Sequence, residues 1–336
     1  MEQATAYNGF ALTLLRWYEE NRRDLPWRGT RNPYAIWLSE IILQQTRVQQ
    51  GWEYWQRFIT RWPTVELLAA ASEDEVLRLW QGLGYYSRAR NLHFAAQQIV
   101  AMGGFPHTIE GLRQLKGVGD YTAAAIGSMA FDLPAAVVDG NVYRVLARYF
   151  GIATPINTTE GKKEFALLAQ ELLPAGQAAA YNQAIMDFGA LQCTPQSPRC
   201  LLCPLQESCS ALREGRIAQL PVKLKTVKVT ERRLTYIYIR CKGETAIRRR
   251  GEGDIWQGLW EPLEADTANL PDGLRLVRKD LRHVLTHRIL LCDFFLWEPA
   301  EKPVLPEGYI WVKEEELDHY ALPRMIEILL NELPVR

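Results

Sequence analysis

The chain has 336 residues, which at roughly 150 residues per domain points to about two domains. Hydrophobic residues make up 48%, which excludes a disordered chain, and the absence of any short repeat excludes collagen-like or low-complexity structure. Lys+Arg and Asp+Glu both total 39, so no global basic signature exists and a nucleic-acid partner would depend on where positive charge lies.

Met1 to Trp27 contains no basic segment followed by an apolar run, so no secretory signal is expected. Asn32-Pro33 then opens a helix with Pro at its first position, and Tyr34, Trp37, Leu38, Ile41 and Ile42 follow at helical spacing. Ser72 and Glu75 have capping-box spacing before Val76, Leu77, Leu79 and Trp80. Further amphipathic stretches run over about Ser87–Met102, Tyr121–Phe131, Asn141–Phe150, Lys163–Leu172 and Ala178–Leu191. Gly82-Leu83-Gly84 and Gly103-Gly104 break them. The most apolar stretch, Tyr121 to Val138, is interrupted by Asp132 and Pro134 and is too short to span a bilayer.

The character changes near Leu220-Pro221. From Lys223 to Arg250 there are ten Lys or Arg against Glu231 and Glu244, read as a basic linker running into strands. Leu234–Ile239, Ile289–Trp297 and Tyr309–Val312 read as strands, and a helix over about Leu322–Leu330 closes the chain. The expected architecture is a mainly α domain over 1–220, a linker over 221–232 and a smaller α+β domain over 233–336. Glu314-Glu315-Glu316 reads as a solvated helix start.

Cys193, Cys200, Cys203 and Cys209 give C-x6-C-x2-C-x5-C in one loop. Six Cys without an export signal point to a reducing compartment, where clustered thiols bind metal more often than they form disulfides. Four thiolates at this spacing can surround an iron–sulfur cube or a zinc ion, and the wider arms suit the cube. Cys241 and Cys292 stand alone and read as core residues.

Leu115-Lys116-Gly117-Val118-Gly119-Asp120 links two helical patterns. A turn of this kind, followed by a helix N-terminus, binds a backbone phosphate without reading sequence, although a plain structural turn has the same pattern. About twenty residues on, Asp139 stands at the start of a new helix after Val137-Val138, where capping and catalysis are compatible.

The hairpin, its trailing aspartate and the four-Cys loop together resemble the DNA glycosylases related to endonuclease III over roughly residues 10 to 215. The resemblance implies a helix-hairpin-helix fold, backbone DNA contact at Gly117, Val118 and Gly119, and a [4Fe–4S] cluster on Cys193, Cys200, Cys203 and Cys209. Position 121 separates two reaction types on this scaffold. A bifunctional enzyme needs an amine there to form a Schiff base. Tyr121 cannot form one, so water is expected to finish the reaction.

Ser39 to Val48 places a single acid, Glu40, among Trp37, Ile41 and Leu43, with Gln44-Gln45-Thr46 one turn on. This stretch, with Leu25–Arg28 and Gly82–Leu92, resembles the MutY-type adenine glycosylases. Those enzymes remove adenine mispaired with 8-oxoguanine. The resemblance implies that Gln45 and Tyr85 wedge around the 8-oxoguanine, with Leu43 also inserting into the base stack. It also implies that Trp27, Arg28 and Gln183 line the adenine pocket. Adenine leaves poorly as an anion, so an acid must protonate N7, and Glu40 has the apolar neighbours that keep a carboxyl neutral. Asp139 is expected to stay ionised against the positive charge on the sugar. The resemblance implies that Tyr121 and Asn141 complete the catalytic set.

Residues 233–336 resemble the Nudix-like domain that this family appends, through Ile255–Pro262. The stretch Ala265–Asp280 lacks the Glu-rich metal-binding pattern of a Nudix hydrolase, so the domain reads as a module that inspects the opposite base. At the hairpin tip the family carries Phe-Ser-His, whereas this chain has Leu285-Thr286-His287. Thr286 keeps the hydroxyl and His287 the imidazole. Tyr143 replaces a lysine that some relatives carry. The expected partner is double-stranded DNA containing A opposite 8-oxoguanine or G. The enzyme is expected to be monomeric, cytoplasmic at the nucleoid, and free of membranes. Two alternatives are a glycosylase for thymine or oxidised pyrimidines and a non-catalytic iron–sulfur sensor. The first predicts a shorter chain and, for its lyase form, Lys at 121; the second dispenses with Glu40 and Asp139.

Overall fold

A computed structural model describes residues 2–225, 229–266 and 270–334, with side chains from Tyr7 onward. Part of the expected 221–232 linker, residues 226–228, lies outside the described residues. The helices in chain order are α1 (Glu2–Asn21), α2 (Pro33–Leu43), α3 (Val48–Arg61), α4 (Val65–Ala70), α5 (Glu73–Trp80), α6 (Ser87–Ala101), α7 (Ile109–Arg113), α8 (Asp120–Phe131), α9 (Gly140–Phe150), α10 (Thr159–Glu171), α11 (Ala178–Leu191), α12 (Ser210–Arg213) and α13 (Arg324–Asn331). The strands are β1 (Thr230–Ile239), β2 (Glu244–Arg249), β3 (Trp260–Glu261), β4 (Leu263–Glu264), β5 (Arg275–Val284), β6 (Arg288–Trp297) and β7 (Tyr309–Lys313). No described helix is long and apolar enough to cross a membrane.

Two compact units result. One comprises residues 1–55, 62–66 and 94–225; the other comprises 56–61, 67–93 and 226–336. The first is helical. Asn32 caps α2 by accepting from the Tyr34 and Ala35 N–H groups, and Pro33 opens the helix where a missing N–H costs nothing. Eight of the eleven α2 residues are buried, Tyr34 to Ser39 with Ile41 and Ile42, so α2 is a core helix rather than an amphipathic one. It packs against α8, whose residues Thr122 to Met129 are also buried. A Cβ on Gly127 would come within 2.6 Å of Ile109 Cδ1, so glycine permits the close approach of α7. Trp37, Phe10, Phe165, Phe188 and Tyr181 fill the interior.

The second unit holds two sheets, ordered β4-β1-β6-β5 and β3-β2-β7. β1 and β6 pair in parallel, with Leu234 opposite Cys292 and Tyr236 opposite Phe294. One face of this sheet, including Leu234, Tyr236, Leu290, Phe294 and Leu296, packs on Met325, Ile326 and Leu329 of α13. Residues 67–93 join this unit through long-range contacts. The Ser72–Glu75 capping box forms as expected, Arg249 Nη2 lies 2.7 Å from Glu73 Oε1, and Arg90 Nη1 donates to the Gln257 carbonyl at 2.5 Å.

The basic stretch is not a linker for most of its length. Residues 230–239 and 244–249 are strands, and Pro221 to Lys225 is tied to the helical unit by Ile156 N–H to Val222 O (3.0 Å) and Asn157 Nδ2 to Leu224 O (2.9 Å). Its arginines meet carboxylates that lie beyond it in sequence. Glu261 is fully buried and accepts from Arg248 Nη2 at 2.7 Å, Tyr236 Oη at 2.8 Å, and Arg250. Asp254 accepts from Arg232 at 2.6 Å and from Arg250 Nη2 at 2.7 Å. Buried charge must be paired, and here the strands bring the pairs together. Glu314 likewise is no free surface acid: it accepts from Tyr238 Oη and Arg240 Nε, each at 2.9 Å.

Candidate active site

Glu40 is the single carboxylate of α2 and projects from an otherwise apolar helix. Burial pushes its carboxyl up to about 7; the Tyr121 hydroxyl, within hydrogen-bonding reach, pulls it back, neighbouring Asp139 raises it, and Arg28 lowers it. Tyr121 stands in the first turn of α8, and burial, then the charges of Glu40 and Asp139, hold its phenol well above the usual range. Its hydroxyl also lies 3.5 Å from Met186 Sδ. Asp139 caps α9 and accepts from Asn141 N–H at 2.9 Å, Val142 N–H at 2.8 Å and Asn141 Nδ2 at 2.8 Å. Burial raises Asp139, while these donors and Arg144 favour its anion. The two carboxylates, separated by about a hundred residues in sequence, therefore share one site with Tyr121.

Of the helical-unit residues expected to line the base pocket, Arg28 acts electrostatically on Glu40. Trp27 is buried, its ring centroid 5.4 Å from Trp55 and 5.7 Å from Trp52. Leu43 packs its Cδ2 where a Cβ on Gly51 would stand, 2.6 Å away. Gln183 on α11 accepts at Oε1 from Tyr18 Oη at 2.6 Å, which turns its amide nitrogen away from the tyrosine. One turn further, Asp187 is fully buried and accepts from Arg23 Nε at 2.7 Å, from Arg23 N–H at 3.1 Å, and from Arg28. Sequence reading missed Tyr18 and Asp187. Asp187 had one available signal, its i+4 spacing from Gln183 on an otherwise apolar helix.

Gly117 takes φ 79°, a left-handed value that the hairpin turn requires. Gly117 and Gly119 are exposed. The Val118 N–H, where the resemblance implies a DNA-backbone contact, donates to Leu115 O at 3.1 Å, and the Val118 side chain is buried. Gln45, just after α2, has φ 58° and is exposed. In the other unit, Tyr85 has φ 47°, is exposed, and its hydroxyl hydrogen-bonds the Thr286 hydroxyl at the β5–β6 hairpin tip. His287 is exposed beside it.

The four cysteines lie half-buried around two short 3-10 turns, Cys200–Leu202 and Gln206–Ser208. Burial and then neighbouring thiolate charge raise Cys200, Cys203 and Cys209, Cys203 up to about 11, so a cationic centre is needed to hold these three as thiolates. Among the described residues no three His, Cys, Asp or Glu side chains are spaced for a single metal ion. The donor set is all sulfur and wider than a lone zinc ion needs, which fits a cube. Two buried arginines of α9 anchor the loop. Arg148 donates to Thr194 O at 2.7 Å and Pro195 O at 3.1 Å, with Nη1 3.5 Å from Cys193 Sγ. Arg144 donates to Cys193 O at 2.7 Å and to Asn141 Oδ1 at 2.8 Å. The hydrogen-bonded path from loop to Asp139 was not legible in the sequence.

Tyr143, the other position lacking a lysine, packs edge-on against Phe165 at 5.1 Å.

Comparison with known proteins agrees with this geometry. Residues 38–174 match the HhH-GPD superfamily base excision DNA repair protein, residues 193–209 the iron–sulfur binding domain of endonuclease III, and residues 235–332 a NUDIX domain. An adenine DNA glycosylase of Buchnera aphidicola subsp. Acyrthosiphon pisum (strain APS) is 35% identical over 345 residues, covering 96% of this chain and 97% of the relative. The mouse adenine DNA glycosylase is 45% identical over 226 residues, covering 63% of this chain, which spans 44% of the mouse protein's length. A solved thermostable thymine-DNA glycosylase superposes with TM-score 0.59 at 31% identity, covering 64% of this chain and all of that one. The cysteine loop accordingly carries an iron–sulfur cluster. With its helix-hairpin-helix domain, its cluster loop and its NUDIX domain all in place, the chain belongs to the adenine DNA glycosylase family of base-excision repair proteins.

Proposed function

We propose that the protein hydrolyses the N-glycosidic bond of adenine mispaired with 8-oxoguanine or guanine in duplex DNA, without lyase activity. The observation that carries this reading is the grouping of Glu40, Tyr121 and Asp139, with burial pushing Glu40 up to about 7. A flipped adenine enters beside Trp27, Arg28 and Gln183. Neutral Glu40 donates its proton to N7, the C1′–N9 bond breaks, and adenine departs neutral. Positive charge then resides at C1′ and the ring oxygen of the sugar, where anionic Asp139, fixed by Asn141 and Val142, stabilises it. Water adds to C1′ and its proton returns to Glu40, leaving an abasic site.

The iron–sulfur cluster, when bound to Cys193, Cys200, Cys203 and Cys209, supplies a rigid charged cross-link. Arg144 links the loop backbone to Asn141 and so steadies the Asp139 cap. The Tyr85–Thr286 pair, with His287, is the proposed reader of the base opposite adenine, and Gln45 and Leu43 are proposed to enter the stack. The protein is proposed to act as a cytoplasmic monomer. Duplexes carrying A·8-oxoguanine, A·G and A·T are incubated with the protein and treated with alkali. Scission of the first two at the adenine, with none before alkali and none in A·T, is expected. Strand cleavage without alkali, or no release from either mispair, overturns the reading.

A further inference from the structure

Glu40 sits near a guanidinium that opposes its role. The charged and titratable groups that face it are Tyr121 from α8, Asp139 from the start of α9 and Arg28 from the loop before α2. A cation beside a carboxyl favours its ionised form, which is the wrong state for an acid catalyst. Arg28 is nevertheless held there: its side chain is only 11% exposed and is ion-paired to a fully buried carboxylate, Asp187. Arg23 pairs with the same carboxylate, and its own side chain is 27% exposed. Tyr18 from α1 completes the group, within hydrogen-bonding reach of Arg28 and bonded to Gln183.

We propose that Asp187 is a positioning residue that pins Arg28 at the base pocket and absorbs the guanidinium charge that would otherwise fall on Glu40. The pocket thereby keeps a five-donor cation for recognising the base while its neighbouring acid stays protonated. Asp187 touches neither base nor sugar in this arrangement; it acts through Arg28. The inference rests on the proposed acid role of Glu40.

The test is the pH dependence of single-turnover adenine release from an A·8-oxoguanine duplex, measured with the full chain between about pH 5.5 and 9. The position of the alkaline limb does not depend on how much enzyme is folded, so a merely structural effect of a substitution leaves it in place. Asp187→Asn is expected to move that limb to lower pH by about one unit, a roughly tenfold slower release above it. Arg28→Gln is expected to move it in the opposite direction, whatever it does to the maximal rate. Removing one partner of a buried pair destabilises, so the double variant Asp187→Asn/Arg28→Gln guards against an unfolded single variant. Because Asp187 acts through Arg28, the double variant is expected to show the same limb as Arg28→Gln alone. An unchanged or alkaline-shifted limb in Asp187→Asn, or a limb in the double variant displaced from that of Arg28→Gln, overturns the inference. Glu40→Gln separates the two levels. If it still releases adenine with the wild-type limb, the acid reading itself has failed. If it is inactive while the Asp187 variants leave the limb in place, only the role of Asp187 has.

Discussion

Glu40 and Asp139 are carboxyls in the same site, both raised by burial, and the groups around them differ. Glu40 projects from a buried helix and is met by the Tyr121 hydroxyl, whereas Asp139 holds three N–H donors at a helix start. An apolar setting favours the neutral acid, and converging donors favour the anion. Glu40→Gln is therefore expected to bind mispaired DNA normally and to lose about 10²–10⁴-fold in excision, read by single-turnover assay. Because the active form is protonated, wild-type turnover should fall as pH rises through about 7. Stability follows the same sign. The folded protein holds a proton up to about 7 that the unfolded chain releases near 4.5, so this group costs stability as pH rises between those values. Allowing for partial solvent access, Glu40→Gln is expected to stabilise the protein at pH 8 by about 1–3 kcal/mol, and negligibly at pH 4, in denaturant titrations. Tyr121 and Tyr143 both lack an amine, so borohydride should trap no covalent complex with DNA; efficient trapping would contradict the water-terminated mechanism.

At the scale of elements, the site depends on how closely α9 and α11 cross. A Cβ on Gly189 would stand 2.6 Å from Asn141 Cβ and 3.0 Å from Asn141 O, and the glycine removes that obstacle. Asn141 in turn holds Asp139. Gly189→Ala should therefore cost about 1–3 kcal/mol from overpacking and also slow excision, because the helix that displaces Asn141 displaces the anion. A drop in melting temperature with an unchanged rate per folded molecule would detach the crossing from the chemistry. Helix starts were readable because capping residues act within one turn: Asn32 before α2, Ser72 and Glu75 around α5, and Asp139 before α9 all occupy the expected places. The basic stretch was misread because a run of arginines looks solvated until the strands that bring Glu261 and Asp254 to it are known.

At the scale of the whole molecule, compactness does not follow chain order. Residues 67–93 belong with the C-terminal segment, bound by Arg249 to Glu73, Arg90 to Gln257 and Tyr85 to Thr286. A chain ending at Lys225 loses those partners. It is expected to melt at lower temperature, to keep its cluster absorbance, and to release adenine opposite G and opposite 8-oxoguanine at nearly equal rates. A preserved preference for 8-oxoguanine would remove Thr286 and His287 from recognition. Stripping the cluster should leave the buried Arg148 and Arg144 tied to a loosened loop. Loss of visible absorbance should then coincide with a lower melting temperature and loss of excision, and reconstitution with iron and sulfide should restore both.

By itself the sequence determined whatever is set over a few residues: the caps, the glycine turn, the four-cysteine spacing, the tyrosine where a lyase needs an amine, and the family these compose. Tertiary structure alone decided which charges meet. Tyr18, Arg144 and Asp187 became functional candidates only once α1, α9 and α11 were brought to α2 and α8, and the proton on Glu40 depends on that enclosure. Capping and turn formation act through neighbouring peptide groups, which the order of residues fixes. Desolvation and ion pairing depend on distances through space, and those exist only after distant segments have packed.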